Sequence, residues 1–159
     1  MAAVSALTVA LFAPPGGDTA AHLYRTEIVL DGVVIWDNLW FAGHYLLTSY
    51  SLLYYFPAGL IGNVPLVGLA AVVSAGLFAA VVREEWGDAA RWPSLAYAVV
   101  APIPLYTGTY SYALGVAAAL GSLRLLQVRR RAFAVVCAAR ACVSAAPTCL
   151  SFNPCSRSC

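Results

Sequence analysis

Residues 64–82 run for nineteen positions without a charge. A helix of that length reaches about 28 Å, close to the ~30 Å hydrocarbon core of a bilayer. Within it Ala71, Ala75 and Ala79 recur every four residues, giving one face small enough for a second helix to approach closely. A packed bundle is therefore expected instead of a lone anchor. The rest of the chain agrees: 62% of its residues are hydrophobic and 10% charged, with a mean hydropathy of +0.79, whereas about a quarter of a soluble domain is charged. A chain of 159 residues has room for a small all-α membrane bundle of about four to five transmembrane or re-entrant helices, multi-pass in the cell membrane.

Charge is unevenly placed. Four of the seven acidic residues (Asp18, Glu27, Asp31, Asp37) and both histidines (His22, His44) fall between positions 18 and 44, together with Arg25. The formal charge of +2 comes from nine arginines and no lysine. No basic face interleaves with aromatics, which excludes nucleic acid as a partner. Arg129, Arg130 and Arg131 form a cluster of the kind that accumulates in short cytoplasmic loops.

Taken in order, residues 1–13 read as a partial first transmembrane helix, about 20 Å long. No basic residue precedes Arg25, which argues against a cleaved signal peptide. Residues 14–44 read as an external loop. Asp18 is placed to N-cap a helix through about Leu30 with its carboxylate, and Asp18, His22 and Arg25 share one face of it at i, i+4, i+7. This predicts an amphipathic helix lying along the membrane surface. Asp31 and Gly32 make a turn, and residues 33–36 a short extended or helical piece. Trp36, Trp40, Phe41, Tyr45, Tyr50, Tyr54, Tyr55 and Phe56 follow as interfacial anchors, or as rings that stack on a sugar or line a lipid entrance.

Residues 45–131 read as the transmembrane bundle. Residues 45–61 are apolar around Pro57, and Gly62 and Asn63 close them. Residues 83–92 carry mixed charge and read as an aqueous connector; Glu84, Glu85 and Asp88 fit a solvated turn better than a divalent-cation site. Residues 93–105 end at Pro102 and Pro104, residues 106–112 form a break around Gly108, and residues 113–126 are helical again. Ser111, Gly115 and Ala119 repeat the small-residue spacing. With 45–61 counted as a crossing, the 83–92 connector falls outside, and only one crossing fits between it and the arginine cluster. Two half-length segments around 102–108 then have to form one interrupted crossing or a re-entrant dip. Residues 132–159 are an irregular tail carrying all five cysteines, whose spacing matches no zinc pattern and whose count leaves one thiol over. Its abrupt change of character reads as a shifted frame.

Asp18-x3-His22-x2-Arg25, Trp36-Asp37-x2-Trp40-Phe41-x-Gly43-His44 and Tyr50-Ser51-x2-Tyr54-Tyr55-Phe56-Pro57 together resemble the N-terminal module of multi-spanning GT-C-type membrane glycosyltransferases. They look closer still to bacterial membrane proteins labelled as related to 6-pyruvoyl-tetrahydropterin synthase. The likeness covers about residues 1–131. It implies transfer of a sugar from a polyprenyl-phosphate donor to an extracytoplasmic acceptor, with Asp18 as the catalytic carboxylate. His22 or Arg25 would meet the donor phosphate, and Asp37, Trp40 and His44 complete the substrate-binding set, with a divalent cation as the one cofactor to consider. Two other readings stand beside it: a non-catalytic scaffold or transport subunit packed against other membrane helices, and an inactive truncated product.

Overall fold

The computed structural model describes residues 1–14, 16–32, 35–38, 43–46, 51–128 and 139. The described residues are all-α apart from one short ladder. Along the chain lie α1 (Ala2–Phe12), α2 (Thr19–Leu30), the antiparallel strands β1 (Ile35–Asn38) and β2 (Gly43–Leu46), and α3 (Leu52–Ile61). They are followed by α4 (Asn63–Trp86), a 3-10 turn (Gly87–Ala90), α5 (Arg91–Val100), α6 (Ile103–Thr107) and α7 (Tyr110–Gln127).

The uncharged run of residues 64–82 forms the heart of α4, whose 24 residues extend about 36 Å. Pro65 sits in its first turn, where amides lack intrahelical acceptors anyway. Only 39% of its most apolar window is buried inside the molecule, and the helical run Asn63–Thr107 that contains it is long and apolar enough to span a membrane. The outer surface is correspondingly oily: Leu7, Leu11, Phe12, Leu60, Leu69, Val73, Val99, Val100, Leu123 and Leu126 are all exposed.

Side-chain contacts fix the direction of each helix. At one end Tyr54 Oη donates to Asn63 Oδ1 (2.7 Å), and Thr19 Oγ1 lies 3.1 Å from Tyr110 Oη. The starts of α4 and α7 thus meet α2 and α3. At the other end Arg124 Nη1 donates to Glu84 Oε2 (2.8 Å), and Gln127 Nε2 donates to the Val81 carbonyl (3.2 Å) and to Glu85 Oε1 (2.9 Å). Helices α4 and α7 therefore run parallel, and α5 with α6 forms the return between them. Helix α1 starts at mid-height, where Ser5 Oγ donates to the Ala98 carbonyl (2.9 Å) and Ala2 packs with Ala75 and Ala98. It climbs from there to the α2 end.

This path corrects two expectations. Residues 45–61 are not one crossing: Tyr45 and Leu46 belong to β2, and the helix begins at Leu52. Ten residues reach about 15 Å, and α3 stays at the α2 end because Gly62, with φ near +90°, turns the chain straight into α4. The 83–92 connector is largely exposed, as an aqueous turn should be, but it is placed differently from the expectation. It stays helical through Trp86, and it lies at the same end as Arg124, not the opposite one. The break after Pro102 and the left-handed Gly108, which ends α6, fall where proline and glycine chemistry place them.

The small-residue stripes survive in part. Ala71 and Ala75 are buried, as are Ser111, Ala113, Gly115 and Ala117, whereas Ala119 is exposed. Residues 129–131 and the cysteine tail lie outside the described residues.

Candidate functional site

The polar loop enters α2 through a backbone seat. A side chain at Gly16 would place its Cβ 2.5 Å from the Tyr106 carbonyl oxygen and 2.6 Å from the Gly108 nitrogen, so only glycine fits there. Gly108, at φ +80°, in turn lies against the Asp18 and Thr19 amides, where a Cβ would come within 3.0 Å of the Thr19 nitrogen. The loop before α2 is thus keyed into the break before α7.

From this seat α2 turns its polar face inward. His22, Arg25 and Thr26 are buried with Ile28, while Leu23, Tyr24 and Leu30 face out. The helix is amphipathic, but inverted relative to one floating on a soluble core. The His22 imidazole stacks on Tyr110, with centroids 5.1 Å apart and planes 24° apart, and meets Tyr54 edge-on at 5.6 Å. Its Nδ1 lies 3.0 Å from Tyr55 Oη, and Arg25 Nη1 donates to the same hydroxyl at 3.4 Å. A guanidinium can only donate, so the Tyr55 oxygen accepts from Arg25 and links it to the His22 ring. Burial lowers the His22 pKa to about 4; the neighbouring Arg25 charge adds to this, while Asp18 and a backbone hydrogen bond to Gly108 oppose it. The ring is neutral.

A second limb joins α2 to the first turn of α4. Thr26 Oγ1 donates to the His22 carbonyl at 2.8 Å and accepts from Asn63 Nδ2 at 3.1 Å, while Asn63 Oδ1 accepts from Tyr54. Tyr54 and Tyr55 are fully buried. They are core residues whose hydroxyls hold the cluster together, which overturns their reading as interfacial anchors. Phe56 remains exposed.

Asp18 occupies the N-cap position, yet its carboxylate makes no capping bond. Its backbone is already helical (φ −89°, ψ −2°), and the side chain of an N-cap reaches the first amides only from an extended backbone. Its carbonyl instead accepts from the His22 amide at 3.1 Å, leaving the carboxylate exposed at the rim. His22 and Arg25 come together through Tyr55, but their burial removes them from direct contact with a donor phosphate in this arrangement. Asp37 and His44 are register partners in the β1–β2 ladder; Trp40 lies outside the described residues. Among the described residues no group of three His, Cys, Asp or Glu side chains is placed to hold a metal ion.

Comparison with family models, curated proteins and solved structures finds no match for this chain.

Proposed function

We propose that the chain is a multi-pass membrane module whose α2 end faces the extracytoplasmic side, and that it belongs to a sugar-transfer system of the GT-C type. Arg83, Arg91 and Arg124 gather at the opposite end, with Arg129 to Arg131 following α7 in sequence. The bias of cytoplasmic loops toward arginine then puts the α2 end outside. With α3 removed from the count, α1 leads outward, α4 inward, the α5–α6 pair outward and α7 inward, and the connector and the arginine cluster share a side without contradiction.

The observation that carries the catalytic reading is the Asp18 carboxylate, exposed and without a hydrogen bond among the described residues, on a loop fixed by the Gly16 and Gly108 contacts. A carboxylate so placed can take the proton of an acceptor hydroxyl as that oxygen bonds the anomeric carbon and the polyprenyl phosphate leaves with the electron pair. His22 and Arg25 act as positioning residues that hold α2 in place. Charge on the departing phosphate is left to groups outside their cluster.

A scaffold without catalysis is the second reading, favoured by the way His22, Tyr55, Thr26, Asn63 and Tyr54 satisfy one another. Sugar transfer from a radiolabelled polyprenyl-phosphate donor, measured in membranes, separates the two. Transfer by the native protein that falls at least 100-fold in Asp18→Asn supports the catalytic reading. Equal transfer by both proteins removes Asp18 from the chemistry, and transfer by neither leaves the scaffold.

A further inference from the structure

A cavity of about 590 Å³ opens where α4 passes through the 3-10 turn into α5, far from the His22 cluster. Its lining changes character along its depth. Arg83, Asp88, Arg91 and Ser94 supply a polar rim, and Ala79 and Leu95 supply an apolar floor nearer the middle of the bundle. A second cavity of about 440 Å³ adjoins it, sharing Ala79 and Arg83 and reaching Glu84 and Arg124.

The charges of the two cavities are not equivalent. Arg124 is neutralised by its ion pair with Glu84. Arg83 and Arg91 have no hydrogen-bond or ion-pair partner among the described residues, so the first cavity carries two uncommitted guanidinium groups against one carboxylate, Asp88. Trp86 and Trp92, both strongly exposed, bracket it in sequence. Exposed tryptophan settles at the depth of lipid headgroups, and below it Val99 and Val100 offer an apolar outer wall. A net-positive rim at headgroup depth above an apolar floor matches a phosphodiester attached to acyl chains. Planar guanidinium groups are well suited to phosphate oxygens.

We propose that this cavity binds the phosphodiester headgroup of an anionic glycerophospholipid from the arginine-rich side of the membrane. The assignment rests on the membrane orientation argued above. Ser94 Oγ, which donates to the Ala90 carbonyl at 2.6 Å, keeps lone pairs toward the cavity and contributes no donor. The phosphate is therefore held by the two arginines, and Asp88 opposes it.

The test uses the full chain in nanodiscs or detergent micelles, with lipid retention read by native mass spectrometry. Phosphatidylglycerol should be retained in preference to phosphatidylcholine. Arg83→Gln and Arg91→Gln should each weaken that retention roughly 5-fold and together about 25-fold. Asp88→Asn should tighten it, and Arg124→Gln in the neighbouring cavity should leave it within about 2-fold. Equal retention of the two lipids by the native protein overturns the proposal without needing a variant. Inorganic phosphate competing as well as the lipid headgroup overturns it in favour of a soluble phosphate ligand. Extraction of the protein from membranes by alkaline carbonate is a separate readout. If the chain is extracted, the membrane orientation fails; if it stays inserted but shows no lipid preference, the lipid site alone fails.

Discussion

A neutral imidazole enclosed by three phenol rings determines how the α2 end responds to acid. The folded pKa of His22 is about 4 against 6.5 for the free side chain. Between those values the unfolded chain binds a proton that the folded chain does not, so stability is complete above pH 6.5, declines as pH falls toward 4, and levels off below. The full difference corresponds to roughly 3 kcal/mol. Melting in detergent micelles from pH 7 to 4 should show this decline in the native protein and a much flatter profile in His22→Gln; parallel profiles would refute the assignment. The backbone seat gives a second expectation at this scale. Gly108→Ala forces a side chain onto φ +80° and against the Thr19 amide, costing roughly 2 kcal/mol or more. Gly17→Ala, whose Cβ would meet nothing within 4 Å, should shift the same melt by less than about 0.5 kcal/mol. Of these residues, His22 was legible in the sequence as chemically notable but not as buried. Composition marks a histidine in a polar loop; it does not say which face of its helix turns inward.

Elements were legible where local chemistry decides them. The start of α2 falls at Asp18 although its carboxylate makes no capping bond, its end follows from Asp31-Gly32, and the interruption between α5 and α7 follows from Pro102, Pro104 and Gly108. Residues 45–61 carry no charge and read as a crossing, because hydropathy alone does not distinguish a short helix packed against α2 from one that spans. The four-residue spacing of small residues on α7 marks the buried face at Ser111 and Gly115 but not at Ala119. Ala113 packs in the core with Ala70 and Tyr110, whereas Ala119 faces out. Ala113→Leu should therefore destabilise by about 1–3 kcal/mol through overpacking, and Ala119→Leu should leave the melting temperature nearly unchanged. Equal effects at the two positions would mean that α7 is rotated from the orientation described. The Arg124–Glu84 pair at the far end is half exposed, so its removal should cost no more than about 1 kcal/mol.

At the scale of the whole molecule, the arrangement of ends was beyond the reach of sequence reading, because it depends on pairings such as Thr19 with Tyr110, 91 residues apart. Those pairings place Gly62 at the α2 end, opposite to the side that a crossing by residues 45–61 requires. Single cysteines in a background whose five native cysteines are replaced by serine decide the matter. Ala20→Cys and Leu60→Cys should react with an impermeant maleimide from one side of sealed vesicles, and Trp86→Cys from the other. Labelling of Ala20→Cys together with Trp86→Cys, with Leu60→Cys reacting from the other side, would restore the extra crossing.

The seat that locks Gly16 against Gly108 also imposes a schedule on synthesis. Helix α2 leaves the ribosome long before its clamp exists, since Tyr106, Gly108 and Tyr110 emerge some eighty to ninety residues later. At ~5–20 residues per second that is a wait of about 4–18 s. Throughout it, His22, Arg25 and Thr26 can already meet Tyr54, Tyr55 and Asn63, but the Tyr110 ring that stacks on His22 is missing. A nascent chain arrested before residue 110 thus presents to chaperones and proteases an α2 that still lacks its clamp, and a finished one does not.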